Sequence, residues 1–304
     1  MKIVATVITL ISGIIIGNGQ IAVSFLDPDC GVSISGSTTT GARVSPRILN
    51  GATADMFGNP WMALISSLSG TCGGSLITNR FVLSAAHCRS SYPTLVYLGE
   101  FDRSTITDCS TTACMPNAIA ISVEAQIVHL SYYHFTQNDI ALFRLAREVQ
   151  YTDYIKPICL LTNYNPLNSI SSLTVTGWGT TENGSPSSIL RTATLRQVDR
   201  SYCSAFYKNI VDMSHICAGD SNSNTCSGDS GGPISVKIEI NGTNRVAQLG
   251  IVSYGENTCR YYAVYTNVMH HINWILGVVR QYTQYTLVYQ APVIYYYTPC
   301  ANVG

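Results

Sequence analysis

The stretch TCSGDSGGP, residues 225–233, places one serine between an aspartate and two glycines. Asp229, Ser230 and the neighbouring glycines are all turn formers, so the stretch alone is compatible with an ordinary exposed turn. A serine hydroxyl becomes a nucleophile only when a nearby base takes its proton and a third group orients that base. The rest of the chain therefore decides whether Ser230 does chemistry.

Two other stretches offer the missing groups. His87 ends the run FVLSAAHC just before Cys88, and Asp139 opens the strand-like run DIALFRL. Each signal is weak alone, because a histidine beside a cysteine is usually structural and an aspartate at a strand start is usually a turn or capping residue. Together the three residues have the chain order His, Asp, Ser, which is one of the orders known for catalytic triads.

Length and charge limit the class of protein. The chain has 304 residues, of which 11% are charged, and a formal net charge of zero. No basic block is present, which argues against nucleic acid as a partner. Residues 1–19 combine one lysine with an apolar run that is short for a membrane span. They predict a secretory signal peptide, ending at residue 24 at the latest, and hence a secreted, extracellular protein without stable membrane association. An uncleaved membrane anchor is the alternative.

The chain contains 11 cysteines. In a secreted protein they predict disulfide bonds, and the odd number leaves at least one cysteine over. No C-x-x-C pair indicates zinc, and we expect no metal centre. Asn183 and Asn241 each begin an N-x-S/T sequon and are candidate glycosylation sites.

Short apolar or alternating runs, separated by Gly, Asn, Ser and Pro, extend from residue 48 to about 268. This spacing predicts an all-β barrel or sandwich. Residues 270–279 are the clearest helical segment, with Ile272, Ile275 and Val279 at helical spacing.

Eight segments, in order along residues 48–280, closely resemble the chymotrypsin/trypsin family of serine proteases: RILNG, CGGSLI, LSAAHC, DIALFRL, VTGWGT, CSGDSGGP, GIVSYG and VYTNV. The resemblance implies two antiparallel six-stranded β-barrels, an active site between them and a C-terminal helix. It also implies a pro-segment or light chain at 20–47, a protease domain at 48–280 and a tail at 281–304. The chain looks most like secreted arthropod cascade proteases, and no clip domain is expected before Cys30.

The resemblance assigns a role to each member of the triad. Ser230 attacks the peptide carbonyl, His87 transfers the proton, and Asp139 holds the imidazole. Backbone N–H groups of Gly228 and Ser230 form the oxyanion hole. A protein or peptide is then the substrate.

An activation site is implied upstream of the domain. An upstream protease would cleave after Arg47, and the new ammonium group of Ile48 would pair with Asp229. A serpin-type inhibitor is a further partner of such proteases.

The resemblance also implies a set of disulfide bonds. The pairs are Cys30–Cys159, Cys72–Cys88, Cys109–Cys114, Cys203–Cys217 and Cys226–Cys259, which leaves Cys300 over.

Substrate preference depends on the walls and base of one pocket. Six residues before the nucleophile, where trypsin-like members carry an aspartate, this chain has Asn224. Gly255 and Ala263 occupy the wall positions, so the expected pocket is neutral and slightly narrowed. Glu100 begins a loop that binds calcium in some members, although an ordinary solvated glutamate is the simpler interpretation. No other cofactor is required.

The sequence thus predicts a secreted serine endopeptidase made as a zymogen. The alternative is a protease-fold regulatory cofactor of a proteolytic cascade with little or no activity. Loss of a triad residue would favour that alternative, and all three residues are present.

Overall fold

The structure is a computed structural model that describes residues 23–34, 51–111, 113–181, 184–219, 225–240, 242–256 and 258–290, with side chains to residue 283. Several predicted features lie outside these residues. They are the signal peptide within residues 1–22, the activation site at Arg47 and Ile48, the sequon residues Asn183 and Asn241, the pocket base Asn224 and the leftover Cys300. No helix in the described part is both long and apolar enough to cross a membrane.

Six antiparallel strands close the first barrel, following a short strand β1 (Ala52–Thr53). The six are β2 (Met62–Ser67), β3 (Gly70–Leu76), β4 (Phe81–Ser84), β5 (Leu95–Leu98), β6 (Ile119–Val128) and β7 (Ala141–Leu145), in the order β2-β3-β4-β7-β6-β5. Side chains alternate between two faces along a strand. In β2, Ala63 and Ile65 accordingly fill the barrel, whereas Met62 and Leu64 join a second core that includes Trp178 and Ile251 of the other barrel.

The second barrel also has six antiparallel strands. They are β8 (Ser172–Gly177), β9 (Arg191–Val198), β10 (His215–Gly219), β11 (Pro233–Ile240), β12 (Thr243–Tyr254) and β13 (Ala263–Asn267). The order β9-β10-β13-β12-β11-β8 closes because β8 pairs with β9, and β1 adds to the outside of β9. The fold class predicted from the sequence is therefore confirmed.

Two α-helices accompany the barrels. The first, α1 (Arg200–Tyr207), begins where the Asp199 side chain accepts a hydrogen bond from Ser201 N–H at 2.9 Å. The second, α2 (Ile272–Gln290), starts two residues later and ends well beyond the predicted 270–279. Its extension has a packing partner on the first barrel, because Tyr282 contacts Phe81 with ring centroids 6.1 Å apart.

Five disulfide bonds join cysteines of the described chain. Their pairs are the ones that the resemblance implies. Cys30–Cys159 attaches the segment 23–34, which lies before the barrels, to the connection between β7 and β8, and both cysteines are fully buried. Cys72–Cys88 and Cys226–Cys259 bracket the His87 and Ser230 loops.

Candidate active site

The pairing of β4 with β7 brings His87 and Asp139 together. His87 lies on a 3₁₀ turn, Ala86–Cys88, just after β4, and Asp139 lies just before β7. Ser84 and Ala141 are paired in the ladder, so the two side chains leave the barrel at the same end. His87 N–H donates to Asp139 Oδ1 at 2.9 Å, and His87 Nδ1 lies 2.7 Å from Oδ2. With its Nδ1 proton held by the carboxylate, the imidazole has Nε2 available as a base.

Asp139 is also held by the second barrel. Ser253 Oγ on β12 donates to Asp139 Oδ2 at 2.6 Å, and Thr266 Oγ1 on β13 donates to its backbone carbonyl at 2.8 Å. Asp139 is only 1% exposed, and a buried carboxylate needs such donors. Sequence reasoning missed both hydroxyls as site residues, although Ser253 and Thr266 stand inside the GIVSYG and VYTNV segments that carried the resemblance.

The Ser230 loop packs on β3, on β12 and on the end of β4, the strand that leads to His87. Gly73 N–H donates to the Ser230 carbonyl at 2.8 Å, and Gly231 N–H donates to the Val252 carbonyl at 2.9 Å. Gly231 has a φ of 79°, and a Cβ there would collide with Ser84 Oγ at the end of β4. Only glycine therefore allows this approach of the two loops. The described hydrogen bonds do not include one between the Ser230 and His87 side chains, which is common for catalytic contacts in the absence of substrate.

The backbone around Ser230 presents two amides without a partner. Gly228 has a φ of 96°, and a Cβ there would lie 3.1 Å from the Gly179 Cα. Asp229 N–H, between the two, donates to the Cys226 carbonyl at 3.0 Å. Among the described residues, neither Gly228 N–H nor Ser230 N–H donates a hydrogen bond. Both amides are thus free to bind an oxyanion, the role predicted for them.

Asp229 is a buried carboxylate whose only described partners are backbone amides. Its side chain is fully buried, and its two oxygens accept from Gly179 N–H at 2.8 Å and Cys226 N–H at 3.0 Å. Burial raises the pKa of Asp229 to about 6. A Cβ at Gly177 or Gly179 would collide with this carboxyl group, so the glycines of VTGWG create the space that it occupies. In the described part of the chain Asp229 forms no ion pair.

A pocket lies beside Ser230, and of the three residues predicted for the specificity pocket Gly255 is the one that lines it within the described part of the chain. Val252 and the Cys226–Cys259 disulfide also line it. A Cβ at Gly255 would lie 3.4 Å from Ala263 Cβ, so these two wall residues stand close together.

Polar residues Thr225 and Glu256 also line this pocket. Thr225 Oγ1 and Tyr265 Oη lie 3.0 Å apart in a buried contact. Glu256 is at the rim, where its carboxylate accepts from Thr258 N–H at 2.9 Å. The hydrogen bonds from Thr258 lower the pKa of Glu256. Glu256 is therefore an anion already engaged with its own loop.

The residues around Glu100 fit a calcium ion poorly. Burial, followed by the charge of Asp108, raises the pKa of Glu100, which is the effect expected where negative groups lack a cation. However, Asp108 Oδ2 already accepts from Phe101 N–H and Asp102 N–H, at 3.3 and 3.1 Å. Within the described residues, no group of three acidic ligands converges here. The calcium ion near Glu100 stays a prediction.

Comparison with known proteins agrees with this geometry. A family model described as Trypsin matches residues 48–275. The chain is 36% identical to the serine protease grass of Drosophila melanogaster, over 77% of this chain and 68% of that protein. It is 38% identical to phenoloxidase-activating factor 3 of Holotrichia diomphalia, over 80% of this chain and 75% of that protein.

A solved structure shares the fold. The crystal structure of the Drosophila Grass clip serine protease of the Toll pathway superimposes with a TM-score of 0.67 and 34% sequence identity, covering 81% of this chain and 73% of that one. The two barrels, the hydrogen-bonded His–Asp pair and these matches define a serine endopeptidase. The chain belongs to the trypsin family.

Proposed function

We propose that this protein is a secreted serine endopeptidase that is made as a zymogen and activated by cleavage after Arg47. The observation that carries the proposal is Asp229, a fully buried carboxylate held by two backbone amides and no described cation. A buried charge of this kind is stabilised strongly by an opposite charge. The ammonium group released by cleavage would supply that charge.

Catalysis would follow from the arrangement around His87. Ser230 Oγ attacks the peptide carbonyl carbon while its proton passes to His87 Nε2, and the oxyanion accepts hydrogen bonds from Gly228 and Ser230 N–H. The C–N bond then breaks as the imidazolium gives this proton to the leaving amine. Water, deprotonated by His87, attacks the acyl-enzyme, and Ser230 is released with its proton. Asp139 stabilises the imidazolium throughout.

The new amino terminus has a short path to Asp229. Thr53 on β1 pairs with Arg191 on β9, which pairs with Gly177 on β8, next to Asp229. Two strand spacings separate β1 from β8, or roughly 10 Å. Three extended residues before Gly51 span about the same distance. Gly51 itself is buried, and its carbonyl accepts from Arg191 Nη2 at 3.1 Å. The length of the chain before Gly51 would therefore allow Ile48 to reach Asp229.

The segment before the activation site would stay attached after cleavage. Cys30 is bonded to Cys159, and Arg245 Nη1 donates to the Cys30 carbonyl at 2.6 Å. Phe25 forms a β-bridge with Leu161. Cleavage after Arg47 would thus yield two disulfide-linked chains.

Processing by a protease with trypsin-like preference tests the zymogen proposal. The secreted protein should gain peptidase activity in proportion to the appearance of an amino-terminal Ile48, measured by amino-terminal sequencing and a peptide-cleavage assay. The Arg47→Gln variant is the matched control and should remain inactive under the same treatment. Full activity in uncleaved Arg47→Gln protein would rule the zymogen mechanism out.

The pocket would favour an uncharged side chain of medium size. A cationic side chain sheds its water on entry and is stabilised there only by a fixed anion. Asn224 is neutral, and Glu256 lies at the rim, already bonded to Thr258 and screened by solvent. The Ala263 methyl group, close to Gly255, narrows the space for large rings. Leu and Met are the expected residues before the scissile bond, with Tyr as the largest.

Matched chromogenic peptides that differ only at that residue test this preference. Leu and Met peptides should have a higher kcat/KM than Arg peptides. The Asn224→Asp variant should raise kcat/KM for Arg peptides by roughly 30-fold or more, because it restores a buried charge partner. If the unmodified enzyme cleaves Arg peptides ten times better than Leu and Tyr peptides, the neutral-pocket proposal is wrong.

Further partners follow from the family rather than from a described contact. An upstream activating protease would act on Arg47, and a serpin-type inhibitor would act on Ser230. The sequon residues Asn183 and Asn241 adjoin Gly184 and Gly242, which are both exposed in turns. Exposure of these neighbours supports glycosylation of a secreted chain at both asparagines.

A further inference from the structure

The segment 129–139, which leads from β6 to the catalytic aspartate, lies against the second barrel. Three of its backbone carbonyls accept hydrogen bonds from side chains of that barrel. The acceptor and donor pairs are Phe135 with Ser253, Thr136 with His215, and Asp139 with Thr266, at 3.1, 3.0 and 2.8 Å. Side chains of the second barrel therefore set the position of this segment.

The Ser253 hydroxyl cannot hold Asp139 and Phe135 at the same time. Its Oγ atom carries one hydrogen, and two acceptors lie within reach, the Asp139 carboxylate at 2.6 Å and the Phe135 carbonyl at 3.1 Å. A hydrogen bond to a charged carboxylate is the stronger of the two, so the proton of Ser253 serves Asp139. In the described part of the chain, this leaves His215 as the side chain of the second barrel that holds residues 134–137.

The fold orients His215 so that one ring nitrogen faces this segment. His215 begins β10 and is 3% exposed. Its Nδ1 atom lies 3.1 Å from Asp212 Oδ1 and 3.1 Å from Ser214 Oγ, and these two contacts orient the ring. Because the Thr136 carbonyl can only accept, the proton of that hydrogen bond belongs to His215 Nε2. The neutral ring and the charged ring both keep this proton, since Nδ1 can accept from Ser214 or donate to Asp212.

The residues that His215 holds include a side chain at the edge of the pocket. Thr136 follows Phe135, whose side chain is 39% exposed and whose ring centroid lies 5.4 Å from that of Tyr254. Tyr254 lines the pocket beside Ser230. A peptide that extends beyond the residue in the pocket meets this exposed aromatic ring. The place of Phe135 in the cleft therefore depends on the hydrogen bond from His215.

Asp139 has supports of its own, so it does not depend on this hydrogen bond. Its carboxylate and its backbone carbonyl are bonded to His87, Ser253 and Thr266. The segment is also closed at its base, where the His129 amide donates to the Ile140 carbonyl at 3.2 Å. Loss of the contact between His215 and Thr136 therefore acts on peptide binding rather than on proton transfer.

We propose that His215 is a positioning residue for substrate recognition, which acts through the Thr136 carbonyl on the side chain of Phe135. The inference rests on the proposed function, since it concerns how the peptidase binds its substrate. Removal of the donor at position 215 weakens the binding of peptides that reach Phe135 and leaves the chemical step unchanged. Peptides too short to reach Phe135 bind as before.

Two substitutions of His215 separate the hydrogen bond from the bulk of the ring. A glutamine amide nitrogen lies about as far from the backbone as histidine Nε2, so His215→Gln keeps the donor to Thr136. The shorter His215→Asn reaches only the position of Nδ1, so it keeps a contact with Asp212 but not the one with Thr136. Chromogenic peptides with one and with four residues before the scissile bond are compared in the processed enzyme.

His215→Asn should raise KM for the longer peptide by roughly three- to tenfold, the effect of one lost hydrogen bond. Its kcat and its kinetics on the shorter peptide should match those of the parent, and His215→Gln should match the parent on both peptides. An equal rise in KM for both peptides, equal kinetics of the two variants, or a loss of kcat without a change in KM would each overturn the proposal.

The exposed Phe135 offers a second variant that does not depend on the folding of a changed β10. Phe135→Ala should raise KM for the longer peptide only, and His215→Asn should add little in that background, because both changes remove the same contact. An unchanged KM in Phe135→Ala, or full additivity of the two changes, would show that His215 does not act through Phe135.

Hydrogen exchange tests the same contact without catalysis. The Gln137 amide donates to the His134 carbonyl at 3.0 Å within the held residues, so its exchange rate reports their opening. In the full-length protein, His215→Asn should speed this exchange at least about threefold, and His215→Gln should not. Equal exchange in the parent and both variants would overturn the proposal. If the processed parent cleaves no peptide at all, the proposed function fails, whereas the exchange rates still decide whether His215 holds the segment.

Discussion

Two buried carboxylates, Asp139 and Asp229, lie on either side of Ser230 and differ in their partners. Asp139 accepts hydrogen bonds from the His87 ring, the His87 amide and the Ser253 hydroxyl. Among the described residues, Asp229 accepts hydrogen bonds from two backbone amides only, and burial raises its pKa to about 6. Asp139 has the partners that its catalytic role needs. No cation pairs with Asp229 in the described part of the chain, which is the state that the proposed zymogen would have before activation.

Removal of the nucleophile should cause the largest loss of kcat, and the losses in the Asp139 and Asp229 variants are compared with it. The Ser230→Ala variant should lose about 10⁶ in kcat, because no other group on the loop can form the acyl-enzyme. Its unfolding midpoint should match that of the parent, since Ser230 makes no described side-chain hydrogen bond. Steady-state cleavage and thermal unfolding measure the two quantities. Retention of a tenth of the parent rate would exclude Ser230 as the nucleophile.

Asp139→Asn should lower kcat by about 10⁴ in the processed enzyme, because an amide no longer holds the His87 tautomer that accepts the proton. The cleaved amino terminus should still form normally in this variant. Peptide kinetics and amino-terminal sequencing of the same sample provide the check. A loss smaller than tenfold would mean that the 2.7 Å contact between His87 and Asp139 does not serve catalysis.

Asp229→Asn should lower kcat by about 10²–10³, since the oxyanion donors of Gly228 and Ser230 are no longer fixed by an ion pair. Cleavage after Arg47 should proceed normally, so the variant separates processing from activation. Full activity after complete cleavage would show that Asp229 does not act as the switch.

The stability of the uncleaved precursor should depend on pH through Asp229. Its pKa is raised from 3.8 in the unfolded state to about 6 in the folded state. The stabilisation that Asp229 contributes is therefore fully present below the pKa of the unfolded state and is lost as pH rises through the pKa of the folded state. Between about pH 4 and pH 7 the free energy of unfolding should fall by about 2 kcal/mol from this group, out of about 3 kcal/mol in total.

Chemical denaturation at several pH values measures that change, with Asp229→Asn as the matched control. The control should lose this part of the pH dependence. The cleaved enzyme should lose it as well, because the Ile48 ammonium stabilises the carboxylate. Identical pH profiles for the precursor, its Asn variant and the cleaved enzyme would contradict the assignment of a lone buried charge.

Helix boundaries show where sequence periodicity was insufficient. Ile272 and Ile275 mark α2 correctly, but the Tyr-rich stretch beyond residue 279 has no clear period. The helix nevertheless continues to Gln290, with Tyr282 packed against Phe81 and the Arg144 guanidinium 5.2 Å from the Tyr282 ring. This surface belongs to residues far away in the chain, so no local pattern could indicate it.

The amino-acid sequence alone determined the family, the barrel class, the order of His87, Asp139 and Ser230, and the expected disulfide pairs, because each depends on residue types at motif positions. Tertiary structure alone decided which groups complete the site. Ser253 reaches Asp139 across 114 positions of sequence. Likewise, His215 reaches the Thr136 carbonyl across 79 positions of sequence. Burial also depends on the fold, because desolvation of Asp229 comes from atoms that many different elements bring around it.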